Sequence, residues 1–112
     1  MEPKDLGKTT TGMQANVEAL LSYLFGFITG IIFYVIEKEN KFVRFHAMQS
    51  IITFGGIFVA GIILGMIPVI GWSVLPFLWI AELILWIILM VKAYQGDMFK
   101  LPVIGDIAEK NS

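Results

Sequence analysis

The chain has 112 residues, of which 57% are hydrophobic and 15% charged, against about 25% charged in an ordinary soluble domain. A net charge of −1, no cysteine and a single histidine exclude a disulfide framework, a thiolate or histidine-rich metal site and a general basic field for nucleic acid. All the Asp, Glu, Lys and Arg residues except Glu82 fall in 2–18, 37–44 and 92–110, leaving 19–36 and 47–81 without charge; since a crossing takes about 20 apolar residues, this is an integral membrane protein with room for about three.

Residues 1–16 form a polar, threonine-rich tail. Glu2 and Asp5 make it unlike the basic start of a cleaved signal peptide, so the first apolar stretch is expected to be retained. Thr11 and Gln14 suit a capping box that opens a helix near Gly12. The first span is expected over 19–36. Gly26 and Gly30 make a GxxxG that lets another backbone approach closely. The same glycines, with Thr29, would also permit a re-entrant segment, but the apolar length favours a full crossing. A short charged turn, 37–44, follows, with Asn40 as N-cap of the next helix. Along the second span, 47–67, the residues His46, Gln49, Thr53, Gly56 and Ala60 make a stripe that should face protein, with Gly61 and Gly65 as a second GxxxG on a neighbouring face. Pro68–Gly71 ends that span. The third runs over 74–91 with Pro76 near its start, where proline is tolerated. In the tail, 96–112, the spacing of Leu101, Ile104 and Ile107 suits the membrane surface. The tetrapeptide PVIG occurs at 68–71 and again at 102–105, each time just after a span, which reads as one interfacial turn used twice. The expected fold is all-α: a polytopic membrane protein with three transmembrane helices within 17–95 and a short amphipathic C-terminal segment.

With three spans, the first turn and the C-terminal tail share a side. That side holds Lys38, Lys41, Arg44, Lys92, Lys100 and Lys110, while Lys4 and Lys8 lie opposite. The positive-inside rule then places the turn and the tail in the cytoplasm and the N-terminus outside.

Glu82 stands near the middle of the third span, where a carboxylate costs roughly 2.5–3.5 kcal/mol on insertion scales. Thr29 lies at a matching depth, and Trp79 and Trp86 flank the same face, so Glu82 and Thr29 form a candidate intramembrane polar site. It would serve as a proton or cation relay, or as a structural acid bonded across a helix interface; with no second intramembrane charge to continue a relay, the structural role is favoured. At the boundary, His46, Gln49, Glu37 and Tyr94 are expected to form a hydrogen-bonded cluster tying helix ends together. Lys41, Arg44, Lys92 and Lys100 suit either lipid headgroups or ordinary positive-inside anchoring.

TGIIFYVIEKENKFVRFHAMQS (29–50) and KAYQGDMFKLPVIGDIAEK (92–110) resemble the Tic-twenty-like family of small membrane proteins, whose namesake belongs to the chloroplast inner-envelope protein translocon. FHAMQS (45–50) and the 92–96 stretch carry most of the resemblance, which extends over roughly 16–110. It implies an oligomeric component of transport or protein translocation, in the cell membrane of a prokaryote or, less favoured, in a plastid inner membrane. The residues themselves leave a second class open, a non-transporting assembly factor, scaffold or regulatory subunit. The expected partners are the lipid bilayer and a second copy or another membrane protein, with no nucleic acid and no cofactor. No Walker loop, dinucleotide fingerprint or metalloprotease motif suggests an enzyme.

Overall fold

A computed structural model describes residues 6–112, which contain five helices and no strand: α1 (Ala15–Leu24), α2 (Phe27–Ile36), α3 (Lys41–Gly65), α4 (Ile70–Tyr94) and α5 (Ile104–Lys110). Only α3 and α4, at 25 residues each, are long and apolar enough to cross a membrane. The first apolar stretch is split into two helices of 10 residues each, too short to cross singly. A continuous helix over 15–36 would hold its ends about 30 Å apart, yet the chain before α1 touches the chain after α2. The Thr10 backbone N–H donates to the Glu37 carboxylate at 2.9 Å, and Asn40 Nδ2 donates to the carbonyls of Leu6 and Lys8 at 2.9 and 3.1 Å. So α1 and α2 form a re-entrant hairpin of two half-length helices. The expectation of three transmembrane helices gives way to two long helices plus this hairpin.

The break is built from residues of three elements. Gly26 has φ 62° and ψ −136°, a combination that an L side chain resists. Within a bilayer each backbone group freed by a break costs several kcal/mol unless it finds a partner. Thr29 Oγ1 accepts the Phe25 N–H at 3.1 Å and donates to the Ser22 carbonyl at 3.2 Å. Ser50 Oγ on α3 donates to the Gly26 carbonyl at 2.9 Å, and Trp86 Nε1 on α4 donates to the Tyr23 carbonyl at 2.7 Å. At Gly30 the hairpin meets α3 closely, since a Cβ there would lie 3.0 Å from the Ala47 carbonyl and 3.1 Å from Ser50 Cβ.

Helix α3 starts on its expected cap: Asn40 accepts the Val43 N–H at 3.0 Å. It runs over 41–65 and α4 over 70–94, with Pro76 inside α4. The two PVIG segments fold alike. Val69 and Val103 have φ of 69° and 66°, and the following Ile70 and Ile104 donate to the carbonyls of Pro68 and Pro102 at 2.8 and 2.7 Å. Each is a γ-turn of the strained, positive-φ kind that opens a helix.

These contacts put residues 6–10, 37–40 and 97–112 at one end, called here the polar end. The 66–69 turn lies at the far end. The expected placement of the N-terminus opposite the first turn is therefore wrong for residues 6–10, because the hairpin returns the chain to the side it came from. Packing is confined to the polar half, where Ala15, Ala19, Tyr23, Phe42, Val43, Phe54, Leu89 and Ala93 form the core. Beyond the hairpin tip, where the Phe27 and Phe58 ring centroids lie 5.4 Å apart, α3 and α4 have only each other, and of α4 just Gly71, Leu89 and Ala93 are buried.

Candidate functional site

The polar end holds two buried networks. The first is centred on α3, which presents His46 and Gln49 three residues apart on one face, and both are fully buried. His46 Nε2 lies 2.9 Å from the Asp97 carbonyl and Nδ1 lies 2.7 Å from Tyr23 Oη. A carbonyl only accepts, so Nε2 carries a proton. The Tyr23 hydroxyl receives the Gln49 Nε2 proton at 3.1 Å, which leaves His46 Nδ1 as the acceptor for its own. The ring is thus a neutral tautomer held at both nitrogens. Gln49 also donates to the Phe99 carbonyl and accepts the Leu101 N–H, each at 2.9 Å, so its amide pairs with the tail as a neighbouring strand would. The arrangement clamps residues 97–101 onto α1 and α3.

The second network surrounds Glu37, which caps α2 and is fully buried. It accepts from the Thr10 N–H, the Thr10 hydroxyl at 2.7 Å, and the backbone N–H groups of Glu39 and Asn40 at 3.0 Å each. Burial opposes its ionisation, but the bonds from Thr10 and Asn40 outweigh burial and bring its pKa down to about 2. Glu18, in the first turn of α1, is also fully buried, and neither of its carboxylate oxygens accepts a hydrogen bond. Burial, followed by the neighbouring Glu37 carboxylate, pushes the Glu18 pKa up to about 7. Between about pH 2 and pH 7 the two carboxyl groups divide the roles: Glu37 holds the charge and Glu18 holds a proton.

The expected interfacial cluster is therefore split. His46 and Gln49 belong together, Glu37 sits in the second network, and Tyr94 is 56% exposed and contributes only a backbone carbonyl, which accepts from Asn16 Nδ2 at 3.0 Å. Tyr23, Glu18 and Thr10 were missed. The Ala15–Ala19–Tyr23 spacing, four residues apart on one helix face, was the available signal for Tyr23.

Thr29 does not pair with Glu82; its hydroxyl is spent closing the hairpin break. Glu82 forms no hydrogen bond or ion pair with any other described residue and lines a cavity of about 300 Å³ with Gly26, Phe54, Trp79, Leu83 and Trp86. Among the other candidate packing glycines, nothing lies within 4 Å of a Cβ built at Gly56, Gly61 or Gly65, although the Gly65 carbonyl accepts the Trp72 Nε1 proton at 3.0 Å. Ala60 lines a groove with Gly56 and Thr53 on one side and Leu101 and Pro102 on the other. Arg44 is engaged inside the protein rather than free for headgroups, donating to the carbonyls of Tyr34, Glu37 and Ser112 at 2.8–2.9 Å, with its guanidinium 4.1 Å over the Tyr34 ring. Lys100 pairs with Glu109 at 2.8 Å, and Lys92 lies 5.8 Å from the Phe99 ring centroid. Lys41 is exposed.

Residues 8–108 match the magnetosome magnetite crystal formation protein family. A UPF0132 membrane protein of Methanocaldococcus jannaschii is 59% identical over 107 residues, covering 96% of this chain and 96% of that protein. A UPF0132 membrane protein of Archaeoglobus fulgidus is 52% identical over 98 residues, 88% of this chain and 95% of its own length. A second M. jannaschii protein of that name is 50% identical over 99 residues, 88% of this chain and 71% of its own length. No solved structure matches. These matches overturn the resemblance to the Tic-twenty-like family, and the expected translocation role loses the support it drew from it. The relatives are archaeal membrane proteins, which agrees with a prokaryotic membrane as the setting.

Proposed function

This chain belongs to the magnetosome magnetite crystal formation protein family and to the UPF0132 membrane proteins, and from that premise we propose that it is a non-transporting scaffold subunit, anchored by α3 and α4 and assembling laterally with membrane partners. One observation carries this reading: His46, Gln49, Glu37 and Arg44 are spent on the chain's own tails and hairpin, while α4 is left almost bare. A conduit needs polar groups facing a path, whereas His46, Gln49, Glu37 and Arg44 all face inward to backbone groups. Among the described residues no three of His, Cys, Asp and Glu come together as a metal site, so the proposal rests on assembly and assigns no mineral-binding residues. Every described Lys and Arg lies at the polar end, and by the positive-inside rule that end faces the cytoplasm.

Crosslinking in native membranes followed by purification tests the reading. A reproducible partner or a homo-oligomer joined through α4, together with no solute flux in proteoliposomes of the purified protein, is the expected result. Flux above that of empty liposomes would overturn it.

A further inference from the structure

The hairpin reaches only partway along α3 and α4, so the space beneath its tip is filled by neither helix. We propose that this space is an intramembrane binding site for a hydrophobic amine, an apolar molecule carrying one protonated nitrogen.

The chamber at the top has a volume of about 300 Å³ and is walled by Glu82, Trp79, Trp86 and Phe54. It continues as a groove of about 420 Å³ lined by Phe27, Ile57, Phe58 and Leu75 toward the far end. The two share Gly26, Phe54, Trp79 and Glu82, so the carboxyl stands at their junction, with a head site toward the indole rings and an apolar tail site beyond it. Glu82 supplies an acceptor that no other described residue uses. The Trp86 N–H is already given to the Tyr23 carbonyl, so Trp86 offers the chamber its ring and not a donor. Indole faces attract cations, and a carboxylate at this depth is costly without a counter-group. A Ca²⁺ or Mg²⁺ ion wants about six oxygen ligands or more, and the chamber has one carboxyl. An ammonium on an apolar body is satisfied by a single carboxyl and aromatic faces. Trp79 and Leu83, 60% and 54% exposed, put the mouth of the chamber toward lipid, where such a molecule is concentrated by partitioning.

The test uses the full chain in phosphatidylcholine nanodiscs, with dodecylamine as probe, dodecanol as its uncharged match and tryptophan fluorescence as the readout, each titration being corrected with empty nanodiscs. Dodecylamine should give a saturable change, with dodecanol at least tenfold weaker. Glu82→Gln should move the dodecylamine midpoint by tenfold or more while helix content and elution volume stay unchanged. Equal midpoints for amine and alcohol, a non-saturating response, or indifference to Glu82→Gln would overturn the proposal. If Glu82→Gln does not fold, Trp79→Leu replaces it: weakened amine binding with unaltered alcohol binding supports the site, and unaltered amine binding removes it. None of these readings depends on whether the protein forms a scaffold.

Discussion

At the scale of single residues, the carboxyl pair makes stability depend on pH in two opposed ways. The folded-state pKa of Glu18 is raised from 4.5 to about 7, so its stabilisation is full below pH 4.5 and lost as pH rises through 7. Glu37 is lowered from 4.5 to about 2, so its contribution is full above pH 4.5 and lost as pH falls toward 2. The thermal midpoint in detergent should therefore fall between pH 5 and pH 8, by an amount equivalent to roughly 1–3 kcal/mol. Glu18→Gln, which keeps the size of the side chain but cannot ionise, should flatten that limb; an unchanged slope would show that Glu18 is not the titrating group. Gln49→Leu should cost roughly 1–3 kcal/mol for each tail group it leaves buried and unpaired, the Phe99 carbonyl and the Leu101 N–H. Limited proteolysis within 97–101 would report the released tail. Both residues of the α3 face, His46 and Gln49, were legible in the sequence because polar side chains in an apolar run demand partners. Those partners were not legible, since most are backbone groups of a tail whose path no side-chain pattern encodes.

Among elements, the re-entrant hairpin shows why hydropathy misjudged the first stretch. Eighteen uncharged residues have the same composition whether they run straight or fold in half. What decides is whether a break can be satisfied, and two of the three side chains that satisfy it, Ser50 and Trp86, lie on other helices. Trp86→Phe keeps the ring but removes the donor to the Tyr23 carbonyl. It should destabilise the protein by about 1–3 kcal/mol, with faster hydrogen exchange confined to residues near 23–27; uniform acceleration would place the effect elsewhere. The PVIG turns were legible as turns, because proline and glycine bracket each one. Their conformation was not, since valine at positive φ runs against the preference of a β-branched residue. The closing glycines explain the pattern: a Cβ at Gly71 would overlap the Leu64 carbonyl, and one at Gly105 would overlap the Lys100 side chain. Gly71→Ala and Gly105→Ala should each cost about 1–3 kcal/mol, measurable as a lower thermal midpoint, whereas Gly56→Ala, facing open space, should leave the midpoint within about 0.5 kcal/mol of the parent.

For the whole molecule, the hairpin leaves two helices long and apolar enough to cross, with residues 6–10, 37–40 and 97–112 at one end. Single cysteines at Thr9, Asn40 and Ser112 should all be protected from impermeant thiol reagents in intact cells, and one at Ser73 should react. Labelling at Thr9 alone among the first three would restore a full crossing for 19–36. The charge count was legible from the start, but its meaning depended on the number of crossings: once the hairpin folds back, Lys8 joins the other cations. The same hairpin sets the outline of the molecule across the bilayer. Set across a bilayer by α3 and α4, the molecule would put α1, α2 and the tail beside those helices in one leaflet and little more than the α3–α4 pair in the other. The protein therefore has the profile of a wedge and displaces more lipid from one leaflet than from the other. Crowded into a vesicle with a single orientation, such wedges expand one monolayer relative to its mate, and the membrane relaxes by bowing outward on the hairpin side.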